Sequence, residues 1–193
     1  MYWEAEKTLI ISDVHLGKSN HFRKSGIALS LGAELADLNK ISFLIKVYQP
    51  QRVLFLGDLF HSNHNAQWDL FATWIKPYQD IEFQLVLGNH DLLPEYIYTT
   101  TGLKCFERIE INGICFSHEP LEDYNGYHIC GHIHPGIRLV GKANQSVRIP
   151  CFLVKEDQMI LPAFGSLTGL YIVDPKVDEI VFGIADSTMF RYG

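Results

Sequence analysis

Along the chain, short apolar runs break off at polar clusters, again and again. Thr8–Ser12 stops at Asp13, Arg52–Leu56 at Gly57-Asp58, and the run 83–87 at Gly88-Asn89-His90-Asp91. The run 111–117 stops at His118, and Tyr127–Cys130 stops at Gly131-His132. Runs this short, rich in Val, Ile, Leu and Phe and with little alternation, predict strands buried on both faces. Between them lie segments with helical spacing. The stretch 31–48 puts Leu31, Leu35, Leu38, Ile41, Ile45 and Tyr48 on one stripe, and Pro50 follows where a helix should stop. The stretch 66–78 does the same with Trp68, Phe71, Ala72 and Ile75, with Pro77 near its end.

After about Pro135 the pattern changes. Residues 148–154, 159–161, 170–173 and 179–184 read as strands joined by turns, with no strong helix among them. Strands alternating with helices, followed by strands alone, predict a layered α/β fold with an antiparallel portion. The polar clusters all fall at the C-terminal ends of predicted strands, the edge where ligands bind in open α/β sheets.

Composition narrows the class. A chain of 193 residues that is 47% hydrophobic, with mean hydropathy +0.03, has enough apolar material for one core, and a single domain over 1–193 is expected. Its net charge of -6 and pI near 5.8 argue against a molecule that gathers nucleic acid over its whole surface. A nucleic-acid substrate needs a local basic patch or bound metal. The opening MYWEAEKTLI has no basic-then-apolar leader, and no apolar run reaches the roughly 18 residues of a membrane span. A cytoplasmic protein without membrane contact is expected. Cys105, Cys115, Cys130 and Cys151 form no CxxC pair, which favours free thiols in a reducing compartment over a zinc ribbon or a disulfide framework.

The clusters themselves carry the chemistry. Asp13, His15, Asp58, Asn89, His90, Asp91, His118, His132 and His134 offer imidazole, carboxylate and amide donors, the ligands of borderline and hard divalent cations. Asp13-Val14-His15 and His132-Ile133-His134 each send two side chains to one side of an extended segment. Singly, each motif has a plainer explanation: Gly-Asp after a strand is usually a turn, and Asn and Asp are ordinary turn residues. Their joint recurrence at successive strand ends is what points to one site. A structural zinc ion is the least suitable reading, because such sites are tetrahedral and rich in cysteine.

In order and spacing, Asp13-Val14-His15, Gly57-Asp58, Gly88-Asn89-His90-Asp91, Ser117-His118 and Gly131-His132-Ile133-His134 resemble the motif set of the calcineurin-like metallophosphoesterases. The resemblance implies a four-layer α-β-β-α sandwich with two mixed sheets. It implies two divalent ions, Mn²⁺ foremost with Fe²⁺ or Zn²⁺ as alternatives. Asp13, His15 and His134 would hold the first ion and Asn89, His118 and His132 the second. Asp58 would bridge them, and a bridging hydroxide would attack phosphorus. His90 would serve near the leaving group, oriented by Asp91. The reaction so implied is hydrolysis of a phosphodiester; a phosphomonoester or small nucleotide is the alternative substrate, and a non-catalytic scaffold of the same fold a lesser one.

Two further stretches are similar to a bacterial subgroup of ligase-associated DNA-damage-response phosphoesterases or endonucleases. One runs through Leu16-Gly17-Lys18 and His21-Phe22-Arg23-Lys24-Ser25-Gly26; the other is Ala163-Phe164-Gly165-Ser166-Leu167-Thr168-Gly169. That similarity implies a DNA substrate and a DNA ligase, helicase or nuclease as partners. Lys18, His21, Arg23 and Lys24 are candidates for a basic rim that meets phosphate, with ordinary surface charge as the alternative. His61 is a candidate substrate contact or a plain loop histidine. His64 and His128 have no expected role, and 165–169 reads as a glycine-rich turn.

Overall fold

The computed structural model describes residues 1–18, 32–61, 66–142, 145–186 and 188–193. Leu31, His64 and the rim candidates His21, Arg23 and Lys24 lie outside the described residues.

The apolar runs do form strands. β1 (Tyr2–Trp3), β2 (Thr8–Ser12), β3 (Arg52–Leu56), β4 (Glu82–Val86) and β5 (Leu103–Phe106) make a sheet in that order, parallel from β2 onward, with β1 antiparallel at its edge. α1 (Gly32–Tyr48), α2 (Ala66–Ile75) and the short α3 (Glu95–Thr99) connect these strands. Leu38, Ile41 and Ile45 of α1, Trp68, Phe71 and Ile75 of α2, and Tyr98 of α3 are buried in one core with Leu9, Ile11, Val53, Phe55, Phe83 and Leu85. The α1 stripe is apolar only through its centre: Leu35 and Tyr48 are exposed. Among the described residues no helix is long and apolar enough to cross a membrane.

The second sheet is antiparallel in its larger part. It contains β6 (Ile109–Ile111), β7 (Ile114–Phe116), β8 (Tyr127–Cys130), β9 (Pro135–Val140), β10 (Ser146–Val154), β11 (Gln158–Ile160), β12 (Tyr171–Ile172), β13 (Ile180–Ala185) and β14 (Thr188–Tyr192). Parallel pairs β7–β8, β8–β11 and β9–β12 make it mixed. Ile10, Leu54, Leu56 and Val86 point from the first sheet onto Phe116, Ile129 and Leu161, which makes the core between the sheets. Strand alternation then sends Cys151 and Leu153 of β10 to the far side, where they pack with Cys130, Ile137, Ile149, Ile160 and Val181. β13 continues this sheet by pairing antiparallel with Cys151–Val154 of β10, and β14 pairs in turn with β13.

One predicted strand is two. Residues 111–117 turn at Asn112-Gly113, both at positive φ (51° and 77°), and β6 and β7 pair across that turn. Asn-Gly is the favoured pair for a two-residue hairpin of this hand. All four cysteines are free thiols.

Candidate metal centre

Asp13, His15 and Asp58 sit in turns that interrupt a strand ladder without ending it. β2 and β3 pair in register through Ser12↔Leu56, diverge, and meet again at Leu16↔Phe60. Across the excursion the His15 amide donates to the Asp58 carbonyl at 2.8 Å and the Leu16 amide to the Leu59 carbonyl at 2.9 Å. Asp13, His15, Asp58, His132 and His134 all hold left-handed backbone, with φ between 48° and 67°. Each such residue costs on the order of 1–3 kcal/mol and persists only where its surroundings impose it. The packing is tight for a reason that can be named: a Cβ at Gly57, which is itself at φ 74°, would overlap the His118 ring.

Two groups of donors result. The donor atoms of Asp13, His15 and His134 lie within 4.8 Å of one another, and so do those of Asp58, His118 and His132. Asp58 Oδ2 is 3.5 Å from His15 Nε2, while Oδ1 is 3.5 Å from His118 Nε2. One carboxylate therefore faces both groups with separate oxygens. Asn89 Oδ1 comes within 3.0 Å of His118 Nε2, and His132 Nδ1 within 3.1 Å of the same atom.

Protonation suits cation binding. His118 Nδ1 lies 3.0 Å from the Leu56 carbonyl, which can only accept, so that nitrogen carries the proton and Nε2 keeps its lone pair. Burial, then the nearby Lys18 and neighbouring histidines, pulls His15 down from 6.5 to about 2, so its imidazole stays neutral. His15 Nε2 and His134 Nε2 are buried with no hydrogen-bond partner. Orphaned buried nitrogens are costly in a dry core and ordinary around a cation, so the donor set fits a pair of metal ions.

The remaining candidates divide. His90 is held by its backbone, whose amide donates to Asp58 Oδ1 at 2.9 Å; its ring stacks on His61 at 5.0 Å and meets His15 edge-on at 5.4 Å. Asp91, given the task of orienting His90 on sequence, has another one. Its carboxylate is buried and accepts from the Phe60 amide at 3.1 Å and the Gly88 amide at 3.0 Å. Amides in a buried turn need an acceptor, and Asp91 supplies it, tying the β3 and β4 turns together. Burial pushes its carboxyl up to about 7 against the pull of those amides. His61 faces the site: its Nδ1 is 3.3 Å from His15 Nδ1, which fits a hydrogen bond that leaves His15 Nε2 unprotonated. Lys18 is half-buried beside Asp13 and Asp58, and burial lowers its ammonium's pKa.

The turn at 163–169 is more than a connection. The Phe164 and Gly165 amides donate to the Ser12 and Asp13 carbonyls at 2.9 and 3.0 Å, and a Cβ at Gly165 would strike the Val14 carbonyl. The Ser166 amide and hydroxyl both donate to Asp37 Oδ2 at 3.0 Å. Asp37 is a buried carboxylate on α1 that Lys40 also meets at 3.1 Å. Helix α1 thus clamps the turn that carries Asp13 and His15. Sequence reading passed over Asp37; its one signal is a carboxylate beside the buried stripe residue Leu38.

Two groups of three possible metal donors lie side by side, and Asp58 of the second also faces His15 of the first. The calcineurin-like phosphoesterase family pattern matches residues 6–148, and the chain belongs to that family. It is a metal-dependent phosphoester hydrolase, and two divalent cations suit its centre. Among solved structures it is similar to the nuclease MPE of Pseudomonas putida, 26% identical with TM-score 0.79 over 94% of this chain and 86% of that one. It also aligns with the phosphoesterase Yfce of E. coli, 12% identical with TM-score 0.47 over 94% of this chain and 90% of that one. No curated protein matches it.

Proposed function

We propose that this chain is one metallophosphoesterase domain that hydrolyses phosphodiester bonds in nucleic acid with two Mn²⁺ ions, as a cytoplasmic nuclease of DNA repair. The observation that carries the reading is Asp58, whose two oxygens face different donor triads. The similarity to a nuclease over nearly the whole chain supports the nucleic-acid substrate. Four free thiols accord with a reducing compartment.

In this reading Asp13, His15 and His134 hold one ion, Asn89, His118 and His132 the other, and Asp58 both. Ions bound there supply an activated water and neutralise charge on the phosphoryl oxygens. The protein's part is placement. Strained turns fix the donors before substrate arrives, so no reorganisation is needed during reaction. The Leu56 carbonyl and His61 hold His118 and His15 in their ligating tautomers. His90, outside both triads and half-buried at the rim, donates a proton to the leaving oxygen. Lys18 contacts substrate phosphate from the Asp13 side.

The test compares bis-p-nitrophenyl phosphate with p-nitrophenyl phosphate in Mn²⁺, together with nicking of circular single-stranded DNA. Diester hydrolysis and nicking are expected. A much higher rate on the monoester, with intact DNA, overturns the diesterase reading.

A further inference from the structure

Beside Asn89 and His118 a cleft of about 550 Å³ opens outward, walled by Leu87, Arg108, Glu119 and Leu121. Its size lies within the range of about 300–1,000 Å³ common to ligand sites. Arg108 reaches it from the link between β5, which ends at Phe106, and β6, which begins at Ile109. That link crosses from the edge of one sheet to the edge of the other. It is anchored to the ligand turn, because the Leu87 amide donates to the Phe106 carbonyl at 2.8 Å. Among the described residues Arg108 forms no ion pair, and it is the one lysine or arginine lining the cleft. An exposed guanidinium one residue from the β6 strand and beside the candidate metal site is well suited to a phosphate of a chain that continues past the reacting one.

Resting on the proposed function, we infer that this cleft binds the nucleotide flanking the scissile phosphate, with Arg108 gripping the next phosphate of the strand. Leu87 and Leu121 give the sugar and base apolar walls. Glu107 and Glu119 also line the cleft and limit the phosphate contacts to one, since a second phosphate would face carboxylate. The cleft therefore selects a diester within a strand over a small diester.

The experiment measures KM and kcat for wild type, Arg108→Ala and Arg108→Lys with Mn²⁺, on a fluorescein-labelled twelve-nucleotide oligothymidylate and on bis-p-nitrophenyl phosphate. In Arg108→Ala, KM for the oligonucleotide rises relative to KM for the small diester by about 5–20-fold, with the loss in KM and little in kcat. The salt dependence of oligonucleotide KM flattens by about one phosphate contact, a slope change near 0.7. Arg108→Lys, which keeps the charge and loses the planar fork, falls between. An unchanged ratio of the two KM values, or equal losses on both substrates, overturns the inference. Wild-type activity on the small diester with none on the oligonucleotide overturns it too, together with the nucleic-acid reading. Inactivity of wild type on both substrates removes the phosphodiesterase reading first and the inference with it.

Discussion

The two donor groups meet at Asp58 and differ in charge and in how their outermost donors meet solvent. The first is deep: Asp13 and His15 are buried, His15 and His134 each have an orphaned Nε2, and the Asp37–Ser166 link clamps the turn from behind. The second opens outward at one donor: His118 is buried like His15 and His132 half-buried like His134, but Asn89 is exposed and the cleft begins at Asn89 and His118. The first triad has an additional carboxylate of its own in Asp13, while the second adds a neutral amide. Charge and burial both favour tighter holding at the first, and exposure favours substrate access at the second. The lesson is that one carboxylate can face a buried group of donors and a more open one with separate oxygens.

The largest break in that picture is Asp58→Asn, which removes the shared ligand but keeps its shape. We expect kcat/KM to fall by at least about 10³-fold and bound Mn²⁺ to drop below two per chain, read by steady-state assay and metal analysis. Full activity in this variant leaves the bridge without a role. His90→Ala separates chemistry from binding: kcat should fall on the order of 10²–10⁴-fold with metal content unchanged. Loss of either ion would mean that His90 is a ligand.

Asn89→Ala against His15→Ala sharpens the comparison. Removing the amide should weaken one of two Mn²⁺ binding steps on the order of 10–100-fold and leave the tighter step alone, whereas His15→Ala should abolish the tighter step. Calorimetric titration with Mn²⁺ distinguishes them, and identical isotherms would erase the distinction between triads. The smallest effect belongs to Asp37→Ala. It leaves Ser166 without its acceptor, costs about 1–2 kcal/mol in urea unfolding and loosens the tighter Mn²⁺ step a few-fold. Lost stability with unchanged metal affinity would confine Asp37 to packing.

The strands that carry the donors were legible because they are continuous apolar runs. β2 and β3 match their expected bounds, and the helical stripes found the centres of α1 and α2. The hairpin at Asn112-Gly113 was hidden inside one apolar run, although its turn pair was in view. Short or polar elements such as β5, β9 and α3 had no run to announce them. Within the site, the donor types were legible and their packing was not. Asp91 and His90 adjoin in sequence, yet the Asp91 carboxylate serves the Gly88 amide of its own turn and the Phe60 amide of the turn after β3. His61 faces His15 only because β2 and β3 pair again beyond their ligand turns. Asp37 meets Ser166 across 129 residues, and no local pattern encodes such a contact.

The central claim is a pair of ions on either side of one carboxylate. Anomalous diffraction from crystals soaked in Mn²⁺ tests it most directly. The account predicts two peaks about 3.5–4 Å apart with Asp58 between them, one against Asp13, His15 and His134 and the other against Asn89, His118 and His132. A single peak, or two peaks that Asp58 does not join, would contradict it.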